Sequence, residues 1–170
     1  ISGNFGVHVS ADGGLSWEPS PHAINRFSFA DSQIGLGVAA TGMYRTADGG
    51  ASFDLIVAGV ADAAVYLSSN VAVAILGGNP VRSTDAGLSW TTGSSAQGRS
   101  EFFVVSEDVV LAWGRSGSFP DYDQRVLRSA DGGQSWSDLG EVFGSNPFAG
   151  DLGFSKPSAV IVIASDGAGN

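Results

Sequence analysis

Residues 10–17 read Ser10-Ala-Asp12-Gly-Gly14-Leu-Ser-Trp17, and the chain carries this pattern four times. The other copies are Thr46-Ala-Asp48-Gly-Gly50-Ala-Ser-Phe53, Ser83-Thr-Asp85-Ala-Gly87-Leu-Ser-Trp90 and Ser129-Ala-Asp131-Gly-Gly133-Gln-Ser-Trp136. Their aspartates are 36, 37 and 46 residues apart. A pattern that recurs with its Asp, Gly and aromatic in one register indicates an array of a single supersecondary unit.

The residue types explain why each copy should be a turn. Glycine reaches positive φ without steric cost, and an aspartate or serine oxygen accepts backbone N–H groups inside a tight turn. The aromatic residue three positions after the second glycine needs an apolar surface to cover it. We therefore predict that each copy is a hairpin corner and that its aromatic residue starts the returning strand.

Apolar segments around each copy predict a four-stranded antiparallel unit, with two strands before a third that enters the turn and a fourth that leaves it. The predicted strands are Asn25–Ala30, Ile34–Ala40, Met43–Thr46, Ala51–Ile56; Ala64–Ser68, Val71–Leu76, Val81–Ser83, Leu88–Thr91; and Glu101–Val105, Val109–Gly114, Arg125–Ser129, Gln134–Leu139. The spacing fits a propeller blade. The sequence thus predicts an all-β β-propeller, with residues 1–170 as a single domain of four units.

The two ends of the chain read as complementary half-units. The N-terminal part supplies a third and a fourth strand, Gly6–Ser10 and Leu15–Glu18, and the C-terminal part supplies a first and a second, Gly153–Ser155 and Ala159–Ala164. If these halves pair, three complete blades and one composite blade close a ring and remove exposed sheet edges. The alternatives are a fragment of a larger propeller and two or more chains joined through their half-blades.

The repeated pattern, S/T-x-D-x-G-x-x-W/F, resembles the Asp-box, or bacterial neuraminidase repeat. This repeat is found in sialidases, sortilin-type receptors, xyloglucan-cleaving hydrolases and propellers of the photosystem II assembly factor type. All four copies match it, with Phe53 in place of Trp in the second, and residues 26–50 are most similar to the assembly-factor branch. The resemblance implies a β-propeller, but it does not select among enzymes, receptors and assembly factors.

Composition excludes several classes of partner. The chain has 17 acidic and 8 basic residues, a formal charge of −9, whereas nucleic-acid binding needs a concentrated basic surface. It has no cysteine, which excludes disulfides and thiolate metal sites. No apolar run is long enough for a membrane span, and His8 and His22 lack the spacing of a metal site. We expect no nucleic acid, metal or cofactor.

The long interval between the third and fourth copies places an insertion between the second and third strands of the last unit. It covers residues 115–124 and is predicted to be a loop on the rim opposite the repeated turns, a usual place for ligands. Its aromatic, acidic and guanidinium groups suit a sugar or peptide surface, although a solvated loop is the alternative. The candidates are Trp113, Arg115, Phe119, Asp121, Tyr122 and Asp123.

Two sets of charged residues occupy distinct positions in the units. Arg45, Arg82 and Arg128 each precede the Ser or Thr of a repeated turn, and this regular place predicts hydrogen bonds to carbonyl or carboxylate groups between blades. Near the starts of innermost strands, where side chains approach the channel mouth, lie candidates for polar contacts or ion pairs. These are Arg26, Arg99, Glu101 and Asp151.

Catalytic sets are not evident among these residues. A sialidase-like site would require three clustered arginines, a Tyr paired with a Glu, and an acid Asp, and three of the seven arginines are bound to the repeat. Nothing in their spacing selects two facing acids for glycoside hydrolysis. We therefore predict a non-catalytic propeller, extracellular or periplasmic, that presents its loop-bearing face to a protein partner. A glycan-binding module, a sialidase-like hydrolase fragment and a structural subunit of a filament or virion are the alternatives.

Overall fold

The computed structural model of the chain is built from β-strands and turns, and it shows no helix among the residues that it describes. Those residues are 8–10, 12–19, 23–92, 101–118 and 121–141, with the backbone alone described at 114–118, 121–125 and 141. They form three four-stranded sheets and one two-stranded sheet, all antiparallel. The predicted all-β class is confirmed.

The strands group into four units in chain order. Unit 1 contains β1 (His8–Val9) and β2 (Glu18–Pro19); unit 2 contains β3 (Arg26–Phe29), β4 (Gly35–Ala39), β5 (Gly42–Thr46) and β6 (Asp54–Ala58); unit 3 contains β7 (Ala61–Tyr66), β8 (Ala72–Leu76), β9 (Asn79–Ser83) and β10 (Thr91–Thr92); unit 4 contains β11 (Glu101–Val104), β12 (Val110–Ser118), β13 (Asp121–Ser129) and β14 (Ser137–Glu141). Within units 2 to 4 each strand pairs with the next in the chain. Each of these units is therefore a meander.

The sheets fan outward from their first strands. Strand β7 contacts both β3 and β11, the first strands of the neighbouring units. In the described part of the chain, the fourth strands β6, β10 and β14 contact no strand of another unit. The first strands therefore lie on the inside of the array and the fourth strands on the outside. This is the arrangement of propeller blades, as the sequence predicts.

The core lies in the seams between successive blades. All five residues of β4 and the first four of β8 are buried. In β4, one face packs on unit 3 through Leu36 and the other is covered by Ile24 and Phe53 of its own unit, and cover on both faces favours a continuous apolar run over an alternating one. Leu36 packs with Tyr66 in the seam between units 2 and 3. Val73 packs with Val110 in the seam between units 3 and 4.

Predicted strand boundaries are wrong in two main respects, and in addition β7 begins at Ala61 rather than at Ala64. The fourth strands begin three residues later than predicted, at Glu18, Asp54, Thr91 and Ser137, because hydrogen bonds to the aspartate keep the chain turning through the following serine. The second is the predicted loop at residues 115–124, because residues 115–118 and 121–124 lie in strands. Instead β12 and β13 extend into a hairpin whose pairing runs from Val110↔Ser129 to Ser118↔Asp121, so that cross-strand bonds satisfy the backbone groups.

Candidate functional site

The repeated turn is held by a local hydrogen-bond network. In unit 2, the hydroxyl of Thr46 donates to Asp48 Oδ1 at 2.7 Å and accepts the N–H of Gly50 at 2.9 Å. Asp48 also accepts the backbone N–H of Ser52 at 2.9 Å and its hydroxyl at 2.6 Å. The same bonds recur in the other three turns. The predicted hairpin corners are confirmed.

These hydrogen bonds also stabilise the charge on the turn carboxylates. Bonds from the serine four residues later lower the pKa of Asp12, Asp85 and Asp131 to about 2, and they lower the pKa of Asp48 as well. A carboxylate that is ionised and already accepts several donors is poorly suited to donate a proton. The network explains the repeated residues by turn formation.

Arginines at the repeated position join neighbouring blades, as the sequence predicts. Arg45 Nε donates to the carbonyl oxygen of Ala86 at 2.8 Å, and Arg82 Nε donates to that of Gly132 at 2.8 Å. In both cases the acceptor lies in the repeated turn of the next unit. Arg128 occupies the same position in unit 4 and is exposed.

A concave surface lies along the first strands of the three complete blades, and we call it the axial cleft. Its volume is about 310 Å³. Its lining comes from β3, β7 and β11 and consists of Arg26, Phe27, Ser28, Ala63, Ala64, Val65, Glu101 and Phe102. The cleft therefore has a mainly apolar floor, with one cation and one anion at its edge.

The charged pair spans the cleft. Arg26 Nη2 donates to Glu101 Oε1 at 2.9 Å, so that the ion pair joins units 2 and 4. The side chains are 47% and 48% exposed, which leaves both groups accessible to a ligand. Structure thus brings together two of the four predicted channel residues, and Arg99 and Asp151 lie outside the described residues.

Asp62 on β7 is a further carboxylate near this pair. Burial raises the pKa of Asp62, and the positive charge of Arg26 partly opposes that effect. Asp62 was not among the residues predicted from the sequence. The apolar floor was not predicted either, because alanine and valine occur in the strands of a core as well as in those of a binding surface. The available signal was position in the predicted first strands, since Phe27, Ala64 and Phe102 pair with equivalent residues of the second strands, Gly37, Ala74 and Ala112.

Five of the six candidate residues predicted in and beside the insertion lie in strands β12 and β13. Trp113 pairs with Glu101 in the β11–β12 register and is half-buried, and its indole N–H has no hydrogen-bond partner in the described part of the chain. Arg115, Asp121, Tyr122 and Asp123 belong to the extended hairpin rather than to a loop. Phe119 lies outside the described residues.

Among the described residues, the His, Asp and Glu side chains form no group of three or more that could hold a metal ion. In the same residues, no helix has the length and hydropathy that a membrane span requires.

No protein-family model and no curated protein matches the chain. Among solved structures, it is similar to YCF48 bound to D1 peptide, with a TM-score of 0.53 and 19% identity over 68% of this chain and 39% of that chain. It is also similar to an ancestral GH74 enzyme, with a TM-score of 0.58 and 14% identity over 69% of this chain and 18% of that chain. The chain therefore spans less than two-fifths of either structure. At these identities the similarity shows the fold alone, which is that of a β-propeller.

Proposed function

We propose that this chain is a non-catalytic binding propeller and that its axial cleft holds a peptide segment of a protein partner. The observation that carries the proposal is the combination of an apolar floor with the half-exposed Arg26–Glu101 pair at its edge. We also propose that the repeated turns make the chain a member of the Asp-box propellers and that it works outside the cytoplasm.

The chemistry of the cleft suits a polypeptide. Ala63, Ala64 and Val65 leave room for an apolar side chain, and Phe102 offers part of a ring surface. The volume of about 310 Å³ lies near the lower limit of ordinary ligand pockets, as expected for one or two anchoring side chains of a longer segment.

The Arg26–Glu101 ion pair would orient a bound peptide. The guanidinium of Arg26 offers a planar fork to carbonyl or carboxylate oxygens, and the carboxylate of Glu101 accepts peptide N–H or lysine donors. Because both side chains are about half exposed, a ligand can replace their mutual bond without the cost of exposing a buried charge. The fold shared with a propeller bound to a peptide supports this reading.

Selection of peptides from a displayed random library on the full chain tests the proposal. We expect selected peptides to combine an apolar anchor with a charged neighbour. Arg26→Gln or Glu101→Gln should weaken their binding at least tenfold in titration calorimetry, because each removes one polar anchor. Arg128→Gln, which changes an exposed arginine outside the cleft, is the matched control and should leave the Kd unchanged.

A charge exchange separates binding from structure. The double variant Arg26→Glu/Glu101→Arg keeps an ion pair but reverses its direction, so a purely structural pair would leave binding intact. We expect this variant to keep its melting temperature and to lose the selected peptides. Failure to select any peptide above background, or retention of binding by the exchanged variant, would contradict the proposal.

A glycan ligand or glycoside hydrolysis is the second candidate. It is supported by the fold shared with a GH74 enzyme and by two carboxyl groups that both interact with Arg26: Glu101, which pairs with it, and Asp62, whose pKa is raised by burial and partly lowered again by the Arg26 charge. Glycosidases use two carboxyl groups of different acidity. A glycan array and hydrolysis of β-glucan oligomers or a fluorogenic sialoside test it. Activity lost in Asp62→Asn would favour the enzyme, and array signal lost in Trp113→Ala would favour sugar binding.

A further inference from the structure

One end of the axial cleft carries charged side chains from all three complete blades. Arg26 and Glu101 are the first residues of β3 and β11, and Asp62 is the second residue of β7. Strand β7 contacts both of the other two strands. The three charged residues therefore lie at the same end of the cleft.

Strand β7 has a bulge at Asp62. The ladder between β7 and β8 shifts register between Ala61 and Ala63, so that Asp62 is the extra residue of the bulge. Bulges redirect side chains and are frequent beside functional sites. Burial raises the pKa of Asp62 and the charge of Arg26 lowers it, so the two charged groups interact. The bulge thus adds a second carboxylate beside Arg26.

The charges at this end of the cleft do not balance. The guanidinium of Arg26 lies 2.9 Å from the carboxylate of Glu101 and also interacts with that of Asp62, and the described lining of the cleft includes no second basic side chain. The whole chain has an excess of the same sign, with a formal charge of −9. A cleft with an excess of one charge attracts ligand groups of the opposite charge. A cation therefore suits this site better than an anion.

The floor of the cleft has a smaller side chain in unit 3 than in its neighbours. Phe27, Ala64 and Phe102 occupy equivalent places in the first strands, and all three line the cleft. Units 2 and 4 thus contribute a ring where unit 3 contributes a methyl group. Lysine and arginine lay their aliphatic stems on apolar surface and keep the charged head in water. An apolar floor with carboxylates at its edge suits both parts of such a side chain.

We propose that the axial cleft binds a lysine or arginine side chain of the partner peptide, with its stem on Ala64 and its charged head at Glu101 and Asp62. This inference rests on the proposed function, because it names the residue type that the same cleft recognises. The head group takes the place of Arg26 at Glu101, while Asp62 still compensates the charge of Arg26, whose guanidinium then donates to peptide carbonyl groups. An acidic side chain would instead bring a third carboxylate to a single guanidinium, and like charges so placed weaken binding.

Selection from three displayed peptide libraries tests the sign of the ligand charge. The libraries share all uncharged residues; the first adds Lys and Arg, the second adds Asp and Glu, and the third adds neither. We expect selection on the full chain to enrich the first library at least tenfold over the other two. Equal or greater enrichment of the second or third library would overturn this inference and leave the peptide proposal intact. No enrichment of any library would overturn both.

A thermodynamic cycle separates recognition in the cleft from attraction by the acidic chain as a whole. In the tightest peptide of the first library, each basic residue is replaced in turn by norleucine, which keeps an aliphatic stem and removes the charge. For one of these positions, we expect titration calorimetry to show a Kd raised at least tenfold for the parent chain and at least threefold less than that for Asp62→Asn. Glu107→Gln, which removes one exposed carboxylate outside the cleft, is the matched control and should show the full effect.

Two results of the cycle would overturn the inference. One is the same ratio of Kd values for the parent chain, Asp62→Asn and Glu107→Gln, with melting temperatures used to establish that the variants fold. The other is a Kd of the parent chain that no norleucine replacement changes. This second measurement needs no substituted protein, so it is independent of how the variants fold.

Discussion

A methyl group on Gly133 would test the packing of the seam between units 3 and 4. Gly133 has φ +86°, and its added Cβ would lie 2.3 Å from Val73 Cγ1, far inside the usual carbon separation of about 3.5–4.0 Å. Val73 is fully buried in the middle of β8, so it has little room to move. A left-handed non-glycine residue costs about 1–2 kcal/mol and overpacking about 1–3 kcal/mol. We expect Gly133→Ala to lower the free energy of unfolding by about 2–5 kcal/mol.

Gly140 provides the control, because its φ is +85° and a Cβ there would have no neighbour within 4 Å. Gly140→Ala should therefore show the backbone cost alone, about 1–2 kcal/mol. Urea unfolding followed by circular dichroism measures both variants, with equal m-values required for the comparison. Adding Val73→Ala to Gly133→Ala should relieve the clash, so that the double variant loses less stability than the two single losses together. A loss in Gly133→Ala no greater than in Gly140→Ala would refute the seam contact.

Three further changes probe the turn, the blade link and the core. The lowered pKa of Asp85 stabilises the fold above about pH 4 and loses that effect as the pH falls towards 2, so the difference in melting temperature between Asp85→Asn and the parent chain should shrink over that range. A difference independent of pH would contradict this. Arg82→Met removes the hydrogen bond to Gly132 and should lower the free energy of unfolding in urea by about 1–3 kcal/mol. An unchanged free energy of unfolding would contradict a stabilising role for this bond between blades. Leu36→Ala, at a fully buried site, should cost about 2–5 kcal/mol, whereas Leu88→Ala, 67% exposed, should change stability by less than about 0.5 kcal/mol.

The candidate site was only partly readable from the sequence. Arg26 and Glu101 could be placed near the inner rim because each lies near the start of a predicted first strand, and the structure joins them at 2.9 Å. The floor around Ala64 could not be found in this way, because no residue type distinguishes an apolar surface of a cleft from a covered one. Residues 115–124 are predicted to be a loop because the interval between the third and fourth turn aspartates is longer than the others, whereas the hairpin there depends on pairing between two segments.

The repeated turns, the four units and the strand order follow from the sequence alone, because each turn is made by hydrogen bonds among residues that lie close together in the chain. In unit 2, for example, the side chains of Thr46 and Asp48 close the turn by hydrogen bonds to each other and to the backbone N–H groups of Gly50 and Ser52. The tertiary structure decided which faces meet. The angle between neighbouring sheets brings Arg26 to Glu101, 75 residues away, and no local pattern encodes that angle, since it results from how all the side chains in a seam pack together.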